Sequence, residues 1–230
     1  MQQPKLKALF LNCTLKKSPG VSHTQRLIDF VSKEMEPLNV ETETVRIIDF
    51  NIPFSIHTHA KDEPKDDWPK IHKKIIKADI IIICSPIWFG TRASVTQLTL
   101  ERMSGMYDER DKNTGQYPLY NKVGACLVTG NEDGAHDVIS NTLFNLTHIG
   151  CTIPPNADSY WVGEAGPGPS FGDDDAGYEN LFVNRTAKYL AYNTAQLARV
   201  LKKSPLDLNL DEIDREVDEH IGNRTKHIRS

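Results

Sequence analysis

The chain has 230 residues, 39% apolar and 25% charged, with a formal net charge of −4, a balance that suits one sizeable α/β domain with excursions. A mildly acidic chain without a basic block excludes an electrostatic case for nucleic acid or an anionic membrane surface as partner. No apolar stretch is long enough to span a bilayer, so no membrane insertion is expected, and the start Met1-Gln2-Gln3-Pro4-Lys5 leads into a strand without a signal-peptide apolar region, which predicts a cytoplasmic location.

In chain order, Leu6–Cys13 is the first predicted strand, and Ser22–Met35 the first helix, with Leu27, Ile28, Val31 and Met35 on one face. Ser22 and Gln25 have the spacing of a capping box at its start. Glu43–Ile48 is predicted as the second strand and Asp67–Lys77 as a short helix. The β-branched run ending at Cys84 marks Asp79–Ser85 as the third strand, buried and parallel. A helix from Ala93 to Met103, a strand over Lys122–Thr129, a helix over His136–Ile149 stopped by Gly150, a strand within Thr152–Trp161 and a long closing helix over Tyr178–Lys203 complete the pattern. Alternating strands and helices predict a three-layer, doubly wound, five-stranded parallel sheet of order 2-1-3-4-5. Residues 1–204 are expected to form this domain, and 205–230 a charged, partly helical tail with a stripe at Ile213, Val217 and Ile221. No G-x-G-x-x-G follows the first strand, which disfavours a dinucleotide Rossmann fold.

Four cysteines, Cys13, Cys84, Cys126 and Cys151, lie in or beside strands without metal-ligand spacing, so buried reduced thiols are expected. Met103–Asn121 is a long polar connection of functional or interfacial length, and Val162–Gly177 is rich in Gly, Pro and Asp. Asp173-Asp174-Asp175 is expected to be a solvated acidic loop rather than a metal site.

Ligands of open α/β sheets bind outside the carboxyl ends of the strands. Three loops fall there. The first, residues 12–24, runs into a helix N-terminus that suits phosphate, with hydroxyls on Thr14, Ser22 and Thr24 and charge from Lys16 or His23; alone it favours phosphate over the alternative, a capped helix start after a polar loop. The second is Ser85-Pro86-Ile87-Trp88-Phe89-Gly90, where Pro86 is expected to break the strand and Trp88 and Phe89 to cover a flat ring, or simply to pack. The third, Thr129-Gly130-Asn131-Glu132-Asp133-Gly134, offers glycines for close approach and polar edges, or a helix cap at Asp133. Together the loops describe a mononucleotide carrying a planar ring, a description FMN satisfies.

These loops resemble the flavodoxin-like NADPH-dependent FMN reductases, which include quinone reductases and the flavoprotein portion of iron–sulfur flavoproteins. Ser85–Gly90 is similar to the family's T-P-I-Y-F-G. The first loop resembles G-S-P-R-x-x-G-N-T, with Thr14 at its Ser, Lys16 at its Arg, and Ser22-His23-Thr24 at its Gly-Asn-Thr; it departs in Lys for Arg, His for Asn and a longer loop. The resemblance covers roughly residues 5–203. It implies bound FMN that takes hydride from NADPH or NADH and reduces a quinone, a flavin or another small acceptor, with no side-chain acid, base or nucleophile required. The implied cofactor-binding residues are Thr14, Lys16, Ser22, His23, Thr24, Pro86–Gly90 and Thr129–Gly134. It also implies a homodimer or tetramer. The cysteine cluster of the iron–sulfur members is absent, so no cluster is expected. An FMN-binding electron carrier without NAD(P)H turnover and a cofactor-free binding module of the same fold are the alternatives.

Overall fold

The computed structural model describes residues 4–59, 65–166 and 168–228. The first three residues, on which the expectation of a directly folded N-terminus bears, lie outside that range. Strands β1 (Leu6–Asn12), β2 (Val40–Arg46), β3 (Ile80–Trp88), β5 (Val123–Gly130) and β6 (Asp158–Val162) form a parallel sheet in the order β2-β1-β3-β5-β6. A two-residue strand β4 (Thr91–Arg92) folds back antiparallel on the end of β3. Counting only the parallel strands, this is the expected 2-1-3-4-5 order.

Period-two alternation splits the core between the two faces of the sheet. Leu6, Ala8 and Phe10 join Ile80, Ile82 and Cys84 under helices α1 (His23–Met35) and α6 (Leu181–Lys203). Leu9 and Leu11 join Ile81 and Ile83 under α2 (Trp68–Lys77) and α3 (Ser94–Ser104). A smaller cluster packs α4 (Ala135–His148) on Cys126 and Val128. All four cysteines are free and buried. Burial pushes the thiol pKa of Cys13 up to about 11 and that of Cys151 up to about 12, which keeps them protonated. Among the described residues no helix is long and apolar enough to cross a membrane.

Several boundaries differ from expectation for physical reasons. Pro86 does not break the third strand, which continues to Trp88. The β1 ladder ends at Asn12 opposite Cys84, so beyond that point β3 has no neighbour on the β1 side, and the N–H that Pro86 lacks has no partner there to lose. The second strand starts earlier, at Val40, and ends in a 3₁₀ turn over Ile47–Asp49. The fifth parallel strand is confined to Asp158–Val162, with a single bridge at Thr152 before it. The closing helix splits at Asn180, which ends α5 (Ala176–Glu179) and caps α6 by accepting a hydrogen bond from the Val183 N–H.

The sequence offers no motif for a further feature, a fully buried arginine. Arg102 on α3 donates from Nη2 to Asp66 Oδ2 at 2.6 Å and to the Thr58 carbonyl at 3.2 Å, and from Nη1 to the Pro53 carbonyl at 2.9 Å. Its guanidinium also lies 5.5 Å from the centre of the Trp68 ring. One side chain thus ties the segment after the second strand to α3 and to the start of α2. Arg102→Ala removes the Arg102 charge from beside Asp66, itself almost fully buried. The variant is expected to lose about 3–5 kcal/mol of stability in urea denaturation.

Candidate functional site

The carboxyl edge of the sheet carries a cleft of about 260 Å³ between the first, second and third loops. β3 forms its floor. Having outrun β1, it presents Pro86, Ile87 and Trp88 to the crevice. Thr14, Lys16, His23 and Thr24 form one wall, and Thr129, Gly130, Asn131 and Glu132 another. Leu15, Ser170 and Phe171 complete the lining.

The first wall is built around the start of α1. Ser22 is buried and has extended backbone, and its Oγ accepts the Gln25 N–H at 3.1 Å. The reciprocal half of the expected capping box is absent. The Gln25 side chain instead accepts from Asn12 Nδ2 and donates to Asp29, so it ties the strand end to the helix. Ser22 is therefore occupied as a cap and does not line the cleft. The N–H groups of His23 and Thr24 stand in the first turn, where no helical carbonyl precedes them. Thr24 Oγ1 and Thr129 Oγ1 are 2.8 Å apart and buried. One of the two hydroxyls donates to the other, and the other keeps its proton for a ligand. The loop is held from outside, where Asp49 accepts from the Ser18 N–H and hydroxyl and Arg46 donates to the Gly20 carbonyl at 2.9 Å. The Ser18 hydrogen bonds hold the Asp49 carboxyl below its ordinary pKa.

The second loop is a two-residue hairpin. Trp88 pairs with Thr91, and the central residues Phe89 and Gly90 have φ of 49° and 74°, the signature of a type I′ turn. Positive φ, rather than a lack of space, is what calls for glycine at 90, since an added Cβ there would meet nothing nearer than the Asp133 carbonyl at 3.9 Å. At Gly134 both act: φ is 126°, and an added Cβ would collide with the Gly90 carbonyl oxygen, because the second and third loops pack backbone against backbone. Phe89, Gly90, Asp133 and Gly134 thus shape the rim and lie outside the cleft lining. Phe89 is 96% exposed and Trp88 48%. Glu132 Oε1 accepts the Phe89 N–H at 3.0 Å and holds the left-handed residue in place.

Sequence reasoning missed the fourth element, residues 168–175. Ser170 and Phe171 close the cleft, and the segment is latched to α1: His23 Nδ1 lies 3.1 Å from the Phe171 carbonyl, and Arg26 donates to the Gly172 carbonyl at 2.6 Å and to Asp173 at 3.1 Å. Trp161 packs behind it, edge-on to Phe171, with its indole N–H on the Pro169 carbonyl. The signal available was Phe171, an aromatic within a Gly, Pro and Asp stretch. His136 turns away to Tyr160, 3.2 Å from the phenol oxygen, and does not reach the cleft. Among the described residues no group of three His, Cys, Asp or Glu side chains is placed to hold a metal.

The donor set fits a phosphorylated ring compound such as FMN. A helix N-terminus, hydroxyls and Lys16 face one end, and an exposed indole and an amide–carboxylate edge face the other. Strand order and cleft position are those of the flavodoxin-like class. Residues 6–165 match the family described as NADPH-dependent FMN reductase, and the chain belongs to that family of flavin-dependent oxidoreductases. Among its relatives, the 8-demethyl-8-aminoriboflavin-5'-phosphate synthase of Streptomyces davaonensis is 40% identical over 213 residues, which is 90% of this chain and 82% of the relative. The crystal structure of RosB with bound 8-demethyl-8-formylriboflavin-5'-phosphate superposes with a TM-score of 0.86 at 38% identity, covering 94% of this chain and 87% of RosB. A protein named divalent metal cation transporter MntH, from Mycobacterium bovis, is 40% identical over 200 residues, 86% of this chain; the match spans only 29% of that longer protein.

A bulky residue at positive φ stores about 1–2 kcal/mol, and Phe89 is exposed enough to have little packing to lose. Phe89→Asn places a favoured type I′ residue before Gly90 and is expected to raise unfolding stability by about 1 kcal/mol in urea titration.

Proposed function

We propose that the cleft binds FMN and that the protein takes hydride from NADPH or NADH and reduces a small acceptor, of which quinones and flavins are the chemical types that fit. The convergence in one cleft of the α1 N-terminus, the Trp88 turn and the Gly130–Glu132 loop carries this reading. Thr14, Lys16, the first-turn N–H groups of His23 and Thr24, and the Thr24–Thr129 hydroxyl pair would hold the phosphate. Pro86, Ile87 and Trp88 would support the ring, and Gly130, Asn131 and Glu132 would border its polar edge. Bound FMN supplies two-electron redox chemistry, so no side chain needs to act as acid or base. The protein residues bind, orient and limit water access, while Phe89, Gly90, Asp133 and Gly134 fix the shape of the rim.

One observation favours a second reading. The synthase similarity extends over 90% of the chain, and in that reading a flavin 5'-phosphate enters the same cleft as the substrate to be altered rather than as a resident carrier.

One experiment separates the readings. The visible spectrum of the protein with FMN is recorded before and after anaerobic NADPH, and the flavin recovered from a parallel aerobic incubation with an amine donor, which supplies the oxidant and the nitrogen that replacement of the 8-methyl group requires, is weighed by mass spectrometry. Bleaching with an unaltered flavin mass is the expected result. Bound flavin that resists NADPH and NADH contradicts the reductase reading and leaves an electron carrier, while an altered flavin mass moves the assignment to the second reading. Absence of flavin binding leaves the fold as a binding module. For the phosphate assignment, Lys16→Ala is expected to weaken FMN binding about tenfold in a fluorescence titration, the effect of losing roughly 1.4 kcal/mol of charge-assisted contact.

A further inference from the structure

A second concavity, of about 370 Å³, lies outside the flavin cleft and shares no residue with it. It forms where β6, at the edge of the sheet, meets the start of α4 and the start of α6. Period two along β6 turns Asp158 and Tyr160 to one side, while Ser159 and Trp161 are buried on the other. His136 and Ile139 join them from α4, and Phe182 and Thr186 from α6. The flavin reading gives none of these side chains a task.

Asp158 is the unusual member of the group. It is half-buried, and burial pushes its carboxyl above the ordinary range, an effect that the nearby His136 offsets in part. Among the described residues, none donates a hydrogen bond to it, and no lysine or arginine pairs with it. The donors that line the same concavity are committed elsewhere. Thr186 Oγ1 donates to the Phe182 carbonyl at 2.9 Å, and Ser140 Oγ donates to the Asp137 carbonyl at 3.2 Å. The Tyr160 phenol oxygen lies 3.2 Å from His136 Nε2. A carboxylate drawn out of water without a donor is costly, and a cation that carries N–H bonds removes that cost.

The facing wall is aromatic. The Tyr160 and Phe182 ring centres stand 5.0 Å apart at an interplanar angle of 60°, and Phe182 is 47% exposed. Such a pair offers an apolar surface for the body of a ligand, and its ring faces attract a positive charge held beside them. The volume falls in the range of small-molecule sites.

We propose that this concavity binds a small primary ammonium compound with an apolar or aromatic body, its N–H bonds on Asp158 and its body against Tyr160 and Phe182. A primary ammonium is preferred to a quaternary one because Asp158 accepts hydrogen bonds and a quaternary nitrogen has none to give. The site is independent of the flavin assignment, since the two concavities are built from different residues.

The test is isothermal titration calorimetry of the full chain with benzylamine near neutral pH, where the amine is protonated, with the folding of each variant checked by circular dichroism. Saturable binding with a dissociation constant on the order of 1 mM is expected, unchanged by excess FMN. Benzyl alcohol, which has the shape without the charge, and benzyltrimethylammonium, which has the charge without the N–H bonds, are each expected to bind at least about tenfold more weakly. Asp158→Asn is expected to weaken benzylamine binding at least about tenfold, and Phe182→Ala about fivefold. Absence of saturable binding up to about 20 mM benzylamine overturns the proposal. So does undiminished binding by folded Asp158→Asn, binding of the alcohol or the quaternary ion as tight as that of benzylamine, or displacement of benzylamine by FMN, which would place the amine in the flavin cleft.

Discussion

Strand β3 outruns β1, and the crevice exists because of it. The two strands part after Cys84, yet β3 continues to Trp88, paired with β5 as far as Pro86 and beyond that with the return strand β4. The first connection bends away from β1 into α1 at that level, so a helix N-terminus faces the bare flank of a strand. This is the topological switch point of the sheet, where chain reversal leaves room for a ligand. Pro86 tolerates the position because no partner strand requires its missing N–H. The short return strand β4 then stops the overhang from fraying by giving Ile87 and Trp88 partners of their own.

The rim of this crevice carries the clearest conflict with local preference. A phenylalanine sits in a left-handed conformation, almost wholly exposed, where asparagine or glycine would be easier. The conformation is held by Glu132 across the rim and by the backbone contact between Gly90 and Gly134. Conflicts of this kind concentrate at functional sites. The buried hydroxyl pair of Thr24 and Thr129 joins the start of α1, on the first flank of the crevice, to the third loop from within. The loops are thus coupled to one another as well as to the sheet, and the cleft behaves as a preformed site.

Much of this was legible in the residues. The isoleucine run of β3, the capping position of Ser22 and the strand–helix alternation each follow from side-chain period or cap chemistry, and they suffice for the sheet order and for three converging loops. Pro86 misled because its local tendency to end a strand is overridden by the absence of a neighbour, a fact of tertiary structure. Gln25 misled because the capping-box spacing is satisfied while Asn12, thirteen residues away, competes for its amide. Phe171 and Ser170 were not found because a Gly- and Pro-rich segment carries no period; only its latches to His23 and Arg26 bring it over the cleft. The buried Arg102 pair also lacked a local signature, its partners being tens of residues away in the chain.

The central claim is that the three loops make one site with a phosphate end and a ring face. Its most direct test is a paired titration of the protein with FMN and with riboflavin, followed by quenching of flavin fluorescence. The account predicts one FMN per chain and an affinity for FMN at least about 100-fold above that for riboflavin, the difference of roughly 2.7 kcal/mol expected from charge-assisted phosphate contacts at a helix N-terminus. Equal affinities for the two flavins, or no quenching by either, would contradict it.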